Sequence, residues 1–299
     1  MILLKSKKEF NIGIVTIGKS PRLDIESELK KTIDYEVGFT HSGALDKILP
    51  SQLYDLAPLS DSDTLVTLYD DETEIQVSHK KITKILYNNI SEIVSKVDVI
   101  VMACTGYEEM GNYQIPILFP GKITENLILD YSNKKDFKLG VVQPHINQIE
   151  KEYEKWNFKN IDADVYASSP YGNADVSADQ NWIDVTNSFV QFKPDLVYLN
   201  CMGMRSAHKD YIHENLNVPV LLAANVTGMV INQILKFFTQ GDVDIAQAYL
   251  DNYIPKFKPP EIRMMLSSFA TAEANHAHAY SLLNDTIGTP ELTNYKTFQ

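Results

Sequence analysis

The sequence predicts an α/β fold of two similar lobes followed by a helical extension, and three observations lead there. Up to about residue 237, strand-like runs bounded by polar turns alternate with amphipathic helical stretches, the pattern of mostly parallel sheets with helices on both faces. Two segments read alike. Each has a helix, an aspartate (Asp98 or Asp195), an apolar strand, a cysteine (Cys104 or Cys201) and a glycine two residues on (Gly106 or Gly203), which indicates an internal duplication. From Gln240 to Gln299 the strand pattern stops, and Pro255 and Pro259-Pro260 punctuate two or three helices.

In chain order, the first strand is Asn11 to Ile17, and its C-terminal loop is Gly18-Lys19-Ser20-Pro21-Arg22. Strands follow at Tyr35 to Phe39 and Thr64 to Tyr69, then a long helix at Lys80 to Ser95 and the apolar strand Val97 to Ala103 that delivers Cys104. The second set has strands at Phe137 to Val142, Ala163 to Ala167 and Asp195 to Asn200, the last delivering Cys201, with helices at His145 to Trp156 and Asn181 to Val190. A last strand at Val218 to Leu222 and a helix at Thr227 to Phe238 complete the unit. The tail reads as helices at Val243 to Tyr253 and Glu261 to Leu283. The expected domains are 1–237, with lobes at 1–120 plus 218–237 and at 121–217, and a tail at 238–299.

Composition narrows the class of function. Hydrophobic residues make up 44% and charged residues 22% of 299, which is a globular composition. A formal net charge of -12 repels phosphate backbones and anionic membranes, so neither nucleic acid nor a membrane is an expected partner. No apolar run reaches the length of a membrane span and the first residues lack the order of a signal peptide, so the expected location is cytoplasmic. Two cysteines are too few for a disulfide scaffold and should remain thiols there.

In open α/β sheets ligands bind outside the carboxyl ends of the strands. Each cysteine therefore falls at its own lobe's binding edge, and facing lobes would bring both to one cleft. Opposed thiols can work at a carbon next to a carboxylate, one removing a proton while the other delivers one, with no cofactor. A helix start after each cysteine would lower its pKa, and N–H groups around Thr105-Gly106 and Met202-Gly203-Met204 would hold the substrate carboxylate. The plain alternative is that each cysteine is a small buried hydrophobe; two at matched positions argue against it. Ser20 and Arg22 offer a hydroxyl and a bidentate carboxylate clamp at the same edge, or a surface arginine in a first helical turn. Ser42-Gly43-Ala44-Leu45-Asp46 reads as a turn and helix start, and His79 as a ligand or base or, preferably, a solvated neighbour of a helix cap.

Thr16-Ile17-Gly18-Lys19-Ser20-Pro21-Arg22, Gly43-Ala44-Leu45-Asp46, Cys104-Thr105-Gly106, Leu118-Phe119-Pro120-Gly121, Cys201-Met202-Gly203 and Pro219-Val220-Leu221-Leu222 together resemble the AroM family, within the fold group of aspartate/glutamate and hydantoin racemases. The resemblance runs from about residue 10 to 237 and implies two pseudo-symmetric Rossmann-like lobes with the site between them. It departs from amino-acid racemases where their Asn-Thr and Thr-Glu pairs after the cysteines become Thr105-Gly106 and Met202-Gly203, and where Asn200 replaces an acidic residue.

The tail has a different likeness. Tyr249-Leu250-Asp251-Asn252, Ile254-Pro255-Lys256-Phe257, the run Glu261 to Ala270 and the run Glu273 to Leu283 resemble an internal piece of the class I ribonucleotide reductase small subunit. There a Glu-x-x-His pair, here Glu273 and His276, supplies two ligands of a dinuclear metal site. The helices that would bring the other ligands are absent from the sequence, so no metal is expected and the tail reads as a packed remnant. The expected function is thus a cofactor-independent racemase or isomerase on a small carboxylate or cyclic amide, with Cys104 and Cys201 catalytic and Ser20, Arg22, Thr105, Gly106, Met202 and Gly203 binding substrate. The rivals are a non-catalytic small-molecule binder and a ribonucleotide reductase helper or decoy acting through the tail. A homodimer is the oligomer left open.

Overall fold

Residues Asn11–Thr16 form β1, whose Ile12, Ile14 and Val15 are fully buried, as both faces of a parallel sheet require. The computed structural model describes residues 10–70 and 73–286, with side chains over 10–70, 73–235 and 244–273. The chain divides into two units, residues 1–29 with 37–227 and residues 30–36 with 228–299.

In the first unit β1 is followed by α1 (Leu23–Lys30), β2 (Gly38–Gly43), β3 (Thr64–Leu68), β4 (Glu74–Ser78), α2 (His79–Ile93), β5 (Val99–Met102), β6 (Ile117–Leu118) and α3 (Pro120–Tyr131). Next come β7 (Lys138–Gln143), α4 (Ile149–Phe158), β8 (Asp162–Ala167), α5 (Gln180–Phe192), β9 (Leu196–Leu199), α6 (Ser206–Leu216), β10 (Val220–Leu222) and α7 (Ala223–Ala248). Two parallel four-stranded sheets result, ordered β2-β1-β5-β6 and β10-β9-β7-β8, with β3 and β4 as an antiparallel pair.

The two sheets are copies. With β1 matched to β7, β2 to β8, β5 to β9 and β6 to β10, the strand orders coincide. The match extends to single bonds. The aspartate before the cysteine strand gives its N–H to the start of the first strand, Asp98 to Asn11 O and Asp195 to Lys138 O, each at 2.8 Å. Its carboxylate accepts the N–H back, from Asn11 at 2.9 Å and from Lys138 at 3.0 Å. Ile100 N–H reaches Pro116 O and Val197 N–H reaches Pro219 O, both at 3.0 Å. These carboxylates satisfy strand-end donors that would otherwise be left to water.

The duplication corrects the expected lobe boundaries. The strand near 218–222, expected with the first lobe, is β10 and pairs with β9 in the second sheet, Val220 opposite Val197. It is the edge strand the second copy needs, the counterpart of β6. A second difference lies at β2, which runs to Gly43 rather than ending at Phe39. Ser42 and Gly43 thus close a strand instead of opening a helix, and the Asp46 carboxylate behind them accepts from Gly43 N–H at 2.8 Å.

Each lobe fills its core by helical periodicity. In α2, Ile82, Leu86, Ile90 and Ile93 form one buried stripe against Val15, Ile100 and Met102. Burying each such side chain contributes about 1.5–3 kcal/mol before the entropy of ordering is counted. The second lobe uses larger groups, with Trp156, Trp182, Phe189 and Tyr198 all fully buried. Gly140 in β7 makes room for one of them, since a Cβ there would meet the Phe189 ring at 2.8 Å.

The second unit takes up α7 from Gly228, continues through a π-helical turn at Tyr249–Tyr253 and ends in α8 (Pro260–Thr286). The Tyr249 ring stands 5.7 Å from Tyr253 and 6.0 Å from Phe269, and Leu266 and Ala270 are buried. Asn232 accepts from Asp34 N–H at 3.1 Å and donates to the Asp34 carboxylate at 2.6 Å, which ties in the segment 30–36. No described helix is long and apolar enough to cross a membrane. His276 lies where side chains are outside the described residues, so only the helical placement of the Glu273 and His276 pair is given, on α8.

Candidate active site

Strands β5 and β9 end at Met102 and Leu199, and the chain turns after each, carrying Cys104 and Cys201 to the carboxyl edges of their sheets. Both thiols are free and both line one cavity of about 300 Å³ between the lobes. Gly203 N–H donates to Cys201 Sγ at 3.4 Å, and the Gly106 amide favours the Cys104 thiolate in the same sense.

The turns lack the helix starts that the sequence reading gave them. The first helix after Cys104 begins at Pro120 and the one after Cys201 at Ser206. Burial is the largest influence on both thiols. It pushes the Cys104 thiol up to about 12, with the neighbouring Cys201 acting in the same direction, and the Cys201 thiol up to about 11. The glycine amides and the Arg22 charge oppose the shift in both cases without reversing it.

Arg22 reaches the cavity wall, but its fork is already occupied. Nε donates to Asp24 at 2.9 Å and Nη2 to the other oxygen at 2.6 Å, while Nη2 also meets the Tyr171 hydroxyl at 3.0 Å. Burial works against this cation, yet Tyr171 and Asp24 outweigh it and hold the guanidinium above its ordinary pKa. Arg22 is thus a link between the lobes rather than an uncommitted carboxylate clamp. Ser20 does not line the cysteine cavity. Its N–H and hydroxyl are held by Asp46 at 2.7 and 2.8 Å. Thr105 lines the cavity, but its hydroxyl donates to Asn200 O at 3.1 Å, a second bond between lobes. Gly106, Met202 and Gly203 line it as well. Gly203 is fixed by packing, because a Cβ there would meet the Tyr171 hydroxyl at 2.6 Å.

Several lining groups were missed or given a lesser role in the sequence. His79, read as a solvated cap neighbour, lines the cavity and stacks on Tyr107 with ring centroids 4.5 Å apart. Burial, then the Lys151 charge, lower its pKa, so it stands neutral at pH 7. Lys151 lines the same cavity without an ion pair among the described residues, whereas Lys155 is held by Glu152 at 2.7 Å. Thr67 Oγ1 and Asn200 Oδ1, on residues 0% and 6% exposed, make no hydrogen bond to a described residue. The two thiols, the Lys151 ammonium and these oxygens share the cavity lining with the carboxylates of Asp61, Glu108 and Glu152.

Comparison with known proteins divides the chain in the same way. A family model described as AroM protein matches residues 12–235, and one described as ribonucleotide reductase, small chain, matches residues 227–299. Over 68 residues the chain is 53% identical to a probable ribonucleoside-diphosphate reductase small subunit of Invertebrate iridescent virus 6, covering 23% of this chain and 19% of that one. Over 66 residues it is 52% identical to the corresponding subunit of Invertebrate iridescent virus 3, covering 22% and 17%. The chain thus spans under a fifth of the length of these relatives. Among solved structures, allantoin racemase from Pseudomonas fluorescens is similar at 12% identity and TM-score 0.49, over 76% of this chain and 92% of that one. Glutamate racemase from Bacillus anthracis is similar at 16% and 0.48 over 77% and 83%. Maleate isomerase from Pseudomonas putida is similar at 14% and 0.48 over 76% and 92%.

Proposed function

The chain belongs to the AroM family, and from that premise we propose that its first unit is a cofactor-independent racemase or isomerase in which Cys104 and Cys201 are the opposed acid and base. The observation that carries this reading is that duplicated strand–Cys–x–Gly turns, from two copies of one sheet, both open on the same cavity. In the forward step one sulfur, as thiolate, takes the proton from a carbon next to a carboxylate or amide carbonyl. The C–H electron pair passes into the carbonyl as an enolate, and the opposite S–H returns a proton to the other face. Lys151, with the Thr67 hydroxyl and the Asn200 amide, would balance the charge that develops on the carbonyl oxygen. The raised thiol pKas make any thiolate formed there a strong base, suited to a weakly acidic carbon.

The same pKas support a second reading. Thiols at about 12 and about 11 leave roughly one thiolate in 10⁴ to 10⁵ at pH 7, which suits a cavity that binds a small molecule without transforming it. A third reading places the biology in the second unit as a ribonucleotide reductase accessory; it rests on the match over 227–299 alone. The test is incubation of the full chain in deuterated water with a panel of amino acids, hydantoins and small dicarboxylates. The first reading expects deuterium at one substrate carbon, lost in both Cys104→Ser and Cys201→Ser. Saturable binding of a panel member with no exchange at any pH supports the binder instead.

A further inference from the structure

Arg22, Tyr171 and Gly203 form a wall with a cavity on each side. On one side are the cysteines. On the other is a separate, larger space of about 510 Å³, lined by the loop after β1, the end of β3, the loop after β8 and the residues before α6. Its charge is unlike that of the chain around it. Lys19, Arg22 and Arg205 face two carboxylates, Asp24 and Asp70, in a protein with a formal net charge of -12.

The commitments of these groups leave a definite remainder. Arg22 and Asp24 hold each other. Asp70 accepts from Thr73 N–H at 2.7 Å. Lys19 lies over the Tyr69 ring at 4.1 Å, a contact that keeps the ammonium at the cavity without neutralising it. Arg205 is half-buried; its Nε is fully buried and makes no hydrogen bond to a described residue, and no carboxylate among them pairs with it. A buried guanidinium donor left unmatched is costly, and a planar oxyanion is the group that satisfies it in two places at once. Ala174 and Gly172 on the facing loop are small and leave the space open.

We infer that this second cavity is an oxyanion-binding site, taking a carboxylate or phosphate group between Arg205 and Lys19. It is separate from the cysteine cavity and shares only the Arg22–Tyr171–Gly203 wall with it, so it holds a second ligand or an effector rather than the reacting carbon. The inference does not depend on the racemase reading.

Calorimetric titration of the full chain with inorganic phosphate and, separately, with malonate, at constant low ionic strength, tests it. One oxyanion should bind per chain. Arg205→Gln and Lys19→Gln should each weaken it by at least about tenfold, the usual worth of a charged hydrogen bond. Arg205→Lys, which keeps the charge and loses the fork, should fall between and serves where Arg205→Gln does not fold. Tighter phosphate assigns the site to phosphoryl ligands and tighter malonate to carboxylates; either supports it. Three results overturn it: no saturable binding of either ion, wild-type affinity in Arg205→Gln, or loss of binding in Lys151→Gln with Arg205→Gln unaffected. The last would put the anion in the cysteine cavity.

Discussion

Cys104 and Cys201 sit at the ends of equivalent strands, each with a glycine amide two residues on that favours its thiolate, yet their surroundings differ. Beside Cys104 the wall is the His79–Tyr107 stack, whose His79 comes from the start of α2 just after the β3–β4 hairpin, a hairpin with no counterpart among the described residues of the second lobe. Beside Cys201 the wall is Tyr171, held by Arg22 from the other lobe and pressed against Gly203. The repeated elements set where the sulfurs are, and the unrepeated loops set what each sulfur meets. Burial raises both thiols, and the two loops give each sulfur its own neighbours, with Cys201 acting on Cys104 and Asp24 and Glu74 acting on Cys201.

Substitutions at the glycines that hold the two turns should break the comparison most strongly. A Cβ at Gly121 would stand 2.2 Å from the Thr105 carbonyl oxygen, a backbone atom that cannot step aside. Gly121→Ala should cost about 3 kcal/mol or more in chemical denaturation and displace the Cys104 turn. At Gly203 the obstacle is the Tyr171 side chain, which can move, so Gly203→Ala should cost about 1–3 kcal/mol. Equal costs would mean that the two turns are held in the same way.

The link between lobes gives a smaller effect. Arg22→Ala removes two bonds to Asp24 and one to Tyr171, and should lower stability by about 2 kcal/mol. Arg22→Lys should recover little of it, because an ammonium cannot span both Asp24 oxygens. Unchanged stability in Arg22→Ala with weakened ligand binding would return Arg22 to the role of an uncommitted clamp.

The smallest effects concern the paired aspartates at the strand starts. Asp98→Asn and Asp195→Asn should each cost about 1 kcal/mol through the strand-start bond that the two share, with Asp195→Asn losing its pairing to Lys134 as well. Bonding to Lys134, then to the Lys138 amide, holds Asp195 below the usual carboxylate range. Its contribution is therefore present above the unfolded-state value of 3.8 and lost as pH falls through the lower folded value. Acid denaturation of Asp195→Asn should show a shallower loss of stability below about pH 4 than the parent chain.

The features legible in the sequence are those carried by local repetition. The helix–Asp–strand–Cys–x–Gly pattern occurs twice, and both copies fold as read, because an apolar run after an acidic strand cap has one way to lie in a parallel sheet. The strand Glu74–Ser78 was not legible, since its alternation is short and follows a polar turn. Helix α3 was hidden in the Leu118-Phe119-Pro120-Gly121 motif, where Pro120 takes the first helical position. Val220–Leu222 went to the wrong lobe because strand order cannot be read from chain order when a copy needs its own edge strand. Within the site, Lys151 lies on an exposed helix face and Tyr171 in a loop, and only the meeting of the lobes gives either of them a neighbour worth noticing.

The account rests on the two sulfurs facing one ligand-sized space, and a short bifunctional reagent measures that directly. The full chain is treated at mildly alkaline pH with 1,3-dichloroacetone, which joins two thiols through three carbons, and the peptides are read by mass spectrometry. The account predicts one intrachain bridge between Cys104 and Cys201 as the main product, suppressed by whichever small anion the cavity binds. Separate single adducts on the two cysteines, with no bridge at any reagent ratio, would contradict it.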